Sequence, residues 1–203
     1  MLDPLSEQLR HCHDPHSLAD CLLREGLTLS QARFGNVQLM NWKNGYLEIE
    51  AQSGFGDEFL NFFKRVYFGD VSVCARALRK RSSIVIEDVT TDQQFAPCCD
   101  ILTRAGVRAV QSTPMISTSG ALMGILSTHF PISHRLGEIA MRKLGHAAQV
   151  AADALVLIRV NGGSSSDAID GSLEIVRDSQ DVLKRTEKLL SRDPLYRQPI
   201  VTA

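Results

Sequence analysis

The sequence predicts an α+β domain built on one antiparallel sheet. Two pairs of alternating segments are each joined by a glycine-containing turn, which is typical of β-hairpins, and one buried strand is predicted between them. Helical patterns precede the first pair and follow the second. Two antiparallel hairpins around a middle strand, with helices at both ends, indicate an α+β sandwich built on one antiparallel sheet.

The composition is that of an ordinary globular protein and argues against two classes of partner. The 203 residues are 44% hydrophobic and 22% charged, with a formal net charge of -1. Because basic residues are not in excess, nucleic acid is not expected as a partner. No apolar run approaches the ~20 residues that cross a bilayer, and residues 1–10 lack the order of a secretory signal. We therefore expect a cytoplasmic protein without membrane contact.

The cysteines do not form a disulfide or zinc pattern. Their number is odd and no spacing repeats, so we expect reduced thiols and no metal site. The five are Cys12, Cys21, Cys74, Cys98 and Cys99.

The first helix is predicted from its start signal. Asp14 is a side-chain cap, and Pro15 follows at the first turn, where its missing N–H costs nothing. Apolar residues at helical spacing continue to about Arg33, and residues 34–35 (Phe-Gly) are expected to end the helix.

Two strands follow this helix. Val37 and Leu39 alternate with polar residues in the first, and alternation continues from Tyr46 to Ala51 in the second. The connection, residues 43–45, contains Asn-Gly, the pair that tolerates positive φ in a tight hairpin turn.

The middle of the chain is predicted as short helices around one strand. Residues 57–66 have acidic side chains at the start and basic ones at the end, as suits a helix dipole. Residues 72–80 form a shorter helix, and residues 84–86 form a buried strand. Residues 92–106 are irregular apart from a short helix that Gly106 ends.

A second hairpin and a long helix complete the predicted domain. Residues 108–117 and 121–130 form the hairpin, and the helix covers residues 133–160. Its apolar residues are separated by steps of 3, 4, 3, 4 and 3, a narrow seam of the kind found in coiled coils. The seam is either a homodimer interface or a contact with the protein's own sheet. It consists of Met141, Leu144, Ala148, Ala151, Leu155 and Ile158.

The chain is expected to divide into four parts. Residues 1–13 are an N-terminal extension, and residues 14–160 are the domain with its flanking helices. Residues 161–166 are a Gly/Ser-rich flexible linker, and residues 167–203 are a polar helix with a frayed tail.

Five short runs in the domain carry a family resemblance. They are Gly35-Asn-Val-Gln-Leu-Met40, Ala51-Gln-Ser-Gly-Phe55, Glu87-Asp-Val89, Ala105-Gly-Val-Arg-Ala-Val-Gln-Ser-Thr-Pro114 and Leu126-Ser-Thr-His-Phe130. Through them the chain resembles the GAF domain family, in particular the GAF modules of bacterial sensor proteins. With the flanking helices, the resemblance covers residues 18–157.

The resemblance implies where a ligand would bind. It implies a central antiparallel sheet with the N- and C-terminal helices packed on one face and a ligand pocket on the other, roofed by residues 66–78 and 88–106. Family members bind small molecules such as cyclic nucleotides or tetrapyrroles there, or bind nothing and serve as dimerisation modules. The residues that the resemblance implies as ligand-binding candidates are Cys74, Phe95, Arg104, Arg108, Gln111, Thr113 and His129.

The cofactor or ligand is unknown from the sequence, because several subfamily features are missing. Tetrapyrrole attachment usually needs a Cys directly before a His in or near the pocket, whereas the only such pair, residues 12–13, lies outside the domain. The Asn-Lys-X-Phe-Asp-Glu pattern typical of cyclic-nucleotide-binding members does not occur. His129 ends a strand, where a hydrogen-bonded structural role is weighed against that of a haem ligand.

The expected function is non-catalytic sensing. A small ligand or protein partner binds the domain, and a helical homodimer relays its state to a separate kinase or regulator. Two alternatives stay open. Cys74 and Cys98 resemble two cysteines of the free methionine sulfoxide reductases, a GAF enzyme class with thiol–disulfide chemistry, although a third cysteine is absent. Alternatively, the pocket is empty and the domain is a dimerisation scaffold.

Overall fold

A six-stranded antiparallel sheet organises the protein. The computed structural model describes residues 4–9, 11–93 and 96–161. Its strands are β1 (Phe34–Asn41), β2 (Tyr46–Ser53), β3 (Arg65–Tyr67), β4 (Ile84–Ile86), β5 (Ala109–Ile116) and β6 (Leu122–Phe130). Their order in the sheet is β3-β2-β1-β6-β5-β4, and every neighbouring pair is antiparallel. The predicted α+β class is confirmed.

Helices cover both faces of this sheet. They are α1 (Pro4–Leu9), α2 (Pro15–Ser30), α3 (Asp57–Phe62), α4 (Val73–Lys80), α5 (Ala96–Arg104) and α6 (Glu138–Asn161). The helices α1, α2 and α6 share one apolar core with residues such as Leu126 of the sheet. The helices α3, α4 and α5 share the other core with residues such as Ile125. The expected packing of both terminal helices on one face is confirmed.

The central strands are buried on both faces. All nine residues of β6 are buried, as are all residues of β1 except Asn41. Since successive side chains of a strand point to opposite faces, polar side chains on these strands are enclosed by helices on either side.

The apolar seam of α6 faces its own sheet. Leu144, Ala148 and Ala151 are 0% exposed and Leu155 is 1% exposed, all within the core formed with α2, β5 and β6. Met141 and Ile158 are partly buried against the same core. Of the two roles considered for this seam, the structure shows the contact with the sheet. The assignment to a dimer interface is therefore corrected for the four enclosed residues, whereas a homodimer itself stays a prediction.

Helix α2 begins as predicted and ends earlier. The backbone N–H of Ser17 donates to Asp14 Oδ1 at 2.9 Å, so Asp14 caps the helix. The helix ends at Ser30, because Gln31 adopts a left-handed conformation with a φ of 56°. Residues 34–35, expected to end the helix, instead begin β1.

The first hairpin is confirmed, with a longer turn than its Asn-Gly pair indicates. Asn41 pairs with Tyr46, so residues 42–45 form the turn. Among these turn residues only Gly45 has a positive φ, 70°. Its N–H donates to the Asn41 carbonyl at 2.8 Å and closes the turn.

Residues 57–66 divide into a helix and a strand. Helix α3 ends at Phe62, and Arg65–Tyr67 then pairs with β2 as the edge strand β3. The prediction of a single helix over residues 57–66 is therefore wrong. The strand was missed because three residues are too few for an alternating pattern to be recognised.

The remaining elements follow the prediction closely. Ser72 caps α4 by accepting a backbone N–H at 3.2 Å. Gly106 follows α5 with a φ of 77°, and Gly120 turns the second hairpin with a φ of 87°. Helix α6 begins at Glu138, later than expected.

Part of the predicted N-terminal extension belongs to the fold. Leu5 and Leu9 of α1 are buried in the core that α2 and α6 form.

Among the described residues, no helix combines the length and the apolar character that crossing a membrane requires. The expected helix and tail over residues 167–203, and the linker beyond Asn161, lie outside the described residues.

Candidate ligand-binding site

A small cavity lies between the sheet and the helices α3, α4 and α5. We call it the inner cavity; its volume of about 20 Å³ is enough for one water molecule. Strands β1, β5 and β6 supply its floor. The cavity is lined by Asn36, Gln38, Phe59, Phe63, Ser72, Val73, Cys74, Leu102, Val110 and His129. The floor is largely polar, and the cover is largely apolar.

Three buried polar atoms of the floor have no hydrogen-bond partner. They are Asn36 Oδ1, Gln38 Oε1 and His129 Nδ1, and their residues are 2%, 0% and 3% exposed. Only four such side-chain atoms occur among the residues that the structure describes, so three of the four converge on this one cavity. Because an unpaired buried polar atom costs about 1–3 kcal/mol, the cluster marks a place where a polar partner would be favoured.

The strands explain why these side chains meet. Asn36 and Gln38 lie two residues apart on β1 and therefore share a face. On the adjacent strand β6, Ser127 is the partner of Asn36. His129 lies two residues from Ser127 and therefore shares the same face of the sheet. Gln38 Nε2 donates to the carbonyl of Phe63 at 3.4 Å, so the unpaired group of this cavity-lining side chain is its Oε1.

His129 is held neutral by its surroundings. Burial lowers the pKa of its imidazole from 6.5 to about 3. The rings of Phe55 and Phe59 meet it edge to face, with centroids 5.0 Å and 5.9 Å away. A neutral imidazole nitrogen either donates or accepts one hydrogen bond, so Nδ1 can serve a ligand in either sense.

A second space, which we call the outer cleft, adjoins the inner cavity. Its volume is about 240 Å³. It is lined by Phe62, Phe63, Arg65, Val66, Asp70, Val71, Ser72, Pro97 and Cys98. Phe63 and Ser72 line both spaces and therefore form the wall between them. Phe62 and Val71, at 53% and 36% exposed, give the cleft an apolar rim.

Cys74 lines the inner cavity, where burial disfavours the thiolate form of its side chain. Its Sγ lies 3.4 Å from Ser127 Oγ and 3.8 Å from Ser112 Oγ. Burial raises the pKa of the Cys74 thiol, and burial also raises that of Cys98, to about 11. Since the thiolate is the nucleophile in thiol–disulfide exchange, these two environments do not favour the reductase alternative.

Gln111 and Thr113 lie on the opposite face of the sheet from the cavity. They alternate with Val110 of the cavity floor and share the face of Ala109 and Met115, which belong to the core under α2 and α6. Gln111 donates to Thr113, and Thr128 donates to Gln111 Oε1 at 3.0 Å. The expectation that these two residues surround the pocket is corrected: their polar groups are paired with each other and with Thr128.

Arg104 and Arg108 form ion pairs near the surface. Arg104 Nη2 lies 2.8 Å from Glu58 Oε1 and ties α5 to α3. Arg108 donates from Nε and Nη2 to the two oxygens of Asp88 at 2.7 Å and 2.8 Å. Neither arginine lines the inner cavity or the outer cleft. Phe95 lies outside the described residues.

Two lining residues of the inner cavity, Cys74 and His129, are among the candidates predicted from the sequence, whereas its other polar residues are not. Asn36 and Gln38 alternate with apolar residues of β1, a pattern that indicates a solvent-facing side when only one face of a strand is buried. The position of β1 in the middle of the sheet could have identified them, because both faces of a central strand are buried by helices. Among the described residues, no group of three or more His, Cys, Asp or Glu side chains is placed to hold a metal ion.

Comparisons with known proteins support the fold described above. The family model described as GAF domain matches residues 12–156. The GAF domain of a phosphoenolpyruvate-protein phosphotransferase from Coxiella burnetii is similar, with a TM-score of 0.65 and 15% identity over 78% of this chain and 92% of that one. The chromophore-binding domain of an unusual bacteriophytochrome from R. palustris gives a TM-score of 0.61 and 14% identity over 78% of this chain and 60% of that one.

An enzyme is also among the similar structures. The free methionine-R-sulfoxide reductase from Neisseria meningitidis, in complex with its substrate, has a TM-score of 0.58 and 17% identity over 74% of this chain and 83% of that one. At these identities the likeness concerns the fold. A search of curated protein sequences found no match. Because the family model covers well over half of the residues, the chain belongs to the GAF domain family.

Proposed function

We propose that this protein is a regulatory sensor domain that binds a small molecule in the inner cavity and passes the bound state to α6. The observation that carries the proposal is that three unpaired polar atoms belong to residues lining one small cavity, Asn36, Gln38 and His129. A core selected for stability alone pairs its buried polar groups or replaces them by apolar ones. A ligand that bonds these atoms would recover the free energy that they cost the empty domain.

The inner cavity alone does not accommodate a small molecule, but the outer cleft lies next to it. Small-molecule sites are typically about 300–1,000 Å³, whereas the cleft measures about 240 Å³. Movement of the Phe63 side chain would join the two spaces, because Phe63 lines both of them. We propose that the ligand enters through the outer cleft and displaces this ring.

Helix α4 offers a route from the cavity to the second hairpin. Ser72, Val73 and Cys74, at its N-terminal end, line the inner cavity. At its C-terminal end, Arg81 Nη2 donates to the carbonyl of Gly120 at 2.7 Å. A shift of α4 on ligand binding would therefore act on the turn between β5 and β6.

The same turn is bonded to α6. The backbone N–H and the hydroxyl of Thr118 both donate to the carboxylate of Asp153, each at 2.7 Å. We propose that this contact transmits the state of the cavity to the outer helix layer. This proposed coupling between the cavity and α6 rests on hydrogen bonds that connect α4, the β5–β6 turn and α6 in sequence. Its test is whether a ligand in the cavity changes the behaviour of α6.

We further propose that a second copy of the protein reads α6 through the helix's outer face. Ile139 and Leu157 are 64% and 61% exposed, and their separation of 18 residues is five helical turns, so they share a face. Val150 and Ala154, partly buried, lie close to the same line. Asp153, which bonds the second hairpin, lies beside this face. A movement of the hairpin would therefore shift the homodimer contact, and a downstream regulator would respond to that shift.

A thermal-shift screen tests the proposed function. The wild type and Asn36→Leu are compared against a collection of uncharged and charged small metabolites, with Gln149→Leu, an exposed position on α6, as the control. We expect compounds that raise the Tm of the wild type and of Gln149→Leu but not that of Asn36→Leu. If no compound acts selectively in this way, the domain is an empty-pocket scaffold and the proposal is wrong.

A further inference from the structure

We infer that the ligand of the inner cavity presents an uncharged group with two N–H donors beside an acceptor, such as a primary amide or the amino edge of a heteroaromatic ring. This inference rests on the proposed function and names the class of molecule that the site takes. It follows from three features of the cavity: the kind of unpaired atoms, the absence of charge in the lining, and the aromatic cover.

The unpaired atoms of β1 are acceptors. Gln38 lines the cavity, and because its Nε2 is engaged with the Phe63 carbonyl at 3.4 Å, its Oε1 is the group left without a partner. Asn36 Oδ1 is the second unpaired oxygen. An NH₂ group, which carries two donors, suits a lining with two free acceptors, whereas a carboxylate or phosphate, which only accepts, bonds neither oxygen.

The lining carries no charge that would stabilise an ionised ligand. Among the described residues, no Lys, Arg, Asp or Glu lines the inner cavity. His129, which also lines the cavity, is kept neutral because burial lowers its pKa to about 3. An ion enclosed without a partner is strongly disfavoured, so both anionic and cationic head groups are excluded from the inner cavity. A neutral imidazole can instead donate from Nδ1 to the carbonyl or ring nitrogen beside the ligand's NH₂ group.

The cover and the neighbouring cleft fit a flat apolar body. Phe59 and Phe63 line the cavity above the polar floor, with ring centroids 4.7 Å apart. Phe63 also borders the outer cleft, whose rim includes Phe62 and Val71. A ligand whose amide reaches Asn36 and Gln38 would thus place its remaining atoms among aromatic side chains.

Benzamide and benzoate separate this inference from its alternatives, because they share a ring and differ in the head group. Each is titrated into the isotope-labelled wild-type protein at neutral pH, and backbone amide resonances are followed. We expect benzamide to shift the resonances of residues 36, 38 and 129 saturably and benzoate to leave them unchanged. We expect Asn36→Leu to weaken benzamide binding about tenfold, the equivalent of one lost hydrogen bond, and Gln149→Leu to leave it unchanged.

The titration with benzamide and benzoate can fail independently of the thermal-shift screen with metabolites. Tighter binding of benzoate, or binding of benzamide that is insensitive to Asn36→Leu and to Gln38→Met, overturns the amide inference while leaving a sensor with another ligand class. Absence of shifts with both probes also overturns it. Failure of the screen with every metabolite, in contrast, removes the proposed function itself. Gln38→Met keeps the test decisive where Asn36→Leu does not fold.

Discussion

Thr118 and Asp153 join the second hairpin to α6 through two hydrogen bonds of 2.7 Å, one from the backbone N–H and one from the hydroxyl of Thr118. Each bond has a carboxylate acceptor, which makes it stronger than a bond between neutral groups. The hairpin turn is also held from the other side by Arg81, through the Gly120 carbonyl. The turn therefore lies between the helix over the cavity and the helix on the opposite face.

A double-mutant cycle measures this contact. We expect Asp153→Ala to lower the free energy of unfolding by about 1–2 kcal/mol, because two charge-assisted bonds are lost. Thr118→Val removes only the hydroxyl bond and is expected to cost less. In urea denaturation the double variant should be less destabilised than the sum of the two single variants. Strict additivity would show that the two residues do not interact in solution.

The unpaired atoms of the cavity predict a substitution that stabilises the free protein. Asn36→Leu replaces an unsatisfied buried amide by an apolar group of similar size, and we expect a gain of about 1 kcal/mol in the free energy of unfolding. Gln111→Leu is the matched comparison, because Gln111 is equally buried but is bonded to Thr113 and Thr128. It should lose about 1–3 kcal/mol. Destabilisation of similar size in both variants would mean that Asn36 is paired in solution.

Burial of His129 predicts a specific loss of stability in acid. Its pKa is 6.5 in the unfolded chain and about 3 in the fold, so between these values the unfolded state binds the additional proton. The stabilisation is complete above about pH 6.5 and is lost as the pH falls toward 3. Between pH 7.5 and 5.5 the wild type should lose about 1.4 kcal/mol more than His129→Phe in urea unfolding. Equal losses in the two proteins would place His129 in contact with solvent.

The two faces of α6 predict opposite results for a new charge. Ala151→Glu buries an unpaired carboxylate in a fully enclosed position, at a cost of several kcal/mol, and should prevent folding. Leu157→Glu, at an exposed position, should leave circular dichroism unchanged and convert the expected wild-type homodimer into a monomer in light scattering. A folded, monomeric Ala151→Glu would restore the seam as the interface. A monomeric wild type would remove the homodimer altogether.

The order of elements was largely predictable because local signals determine it. The cap at Asp14 and the glycine turns at Gly45 and Gly120 are set by residues close in sequence. The edge strand at residues 65–67 was not predictable in this way, because only its pairing with β2 distinguishes it from a continuation of α3.

The faces of the central strands were harder to predict than their positions. In β5 the face of Gln111 and the face of Ser112 are both buried, so alternation does not reveal which of them meets the pocket. The spacing of the α6 seam is equally ambiguous, since a helix on a sheet and a helix in a coiled coil bury similar stripes. Both questions are decided by tertiary packing, which single-sequence periodicity does not contain.

Hydrogen exchange tests most directly whether the cavity controls α6. A compound found in the metabolite screen is added to the wild type and to Asp153→Ala, and exchange is followed by mass spectrometry. We expect slower exchange in residues 72–80 of both proteins and slower exchange in residues 138–157 of the wild type only. Protection that stops at α4 in the wild type, or that reaches α6 equally in Asp153→Ala, would contradict coupling between the cavity and α6.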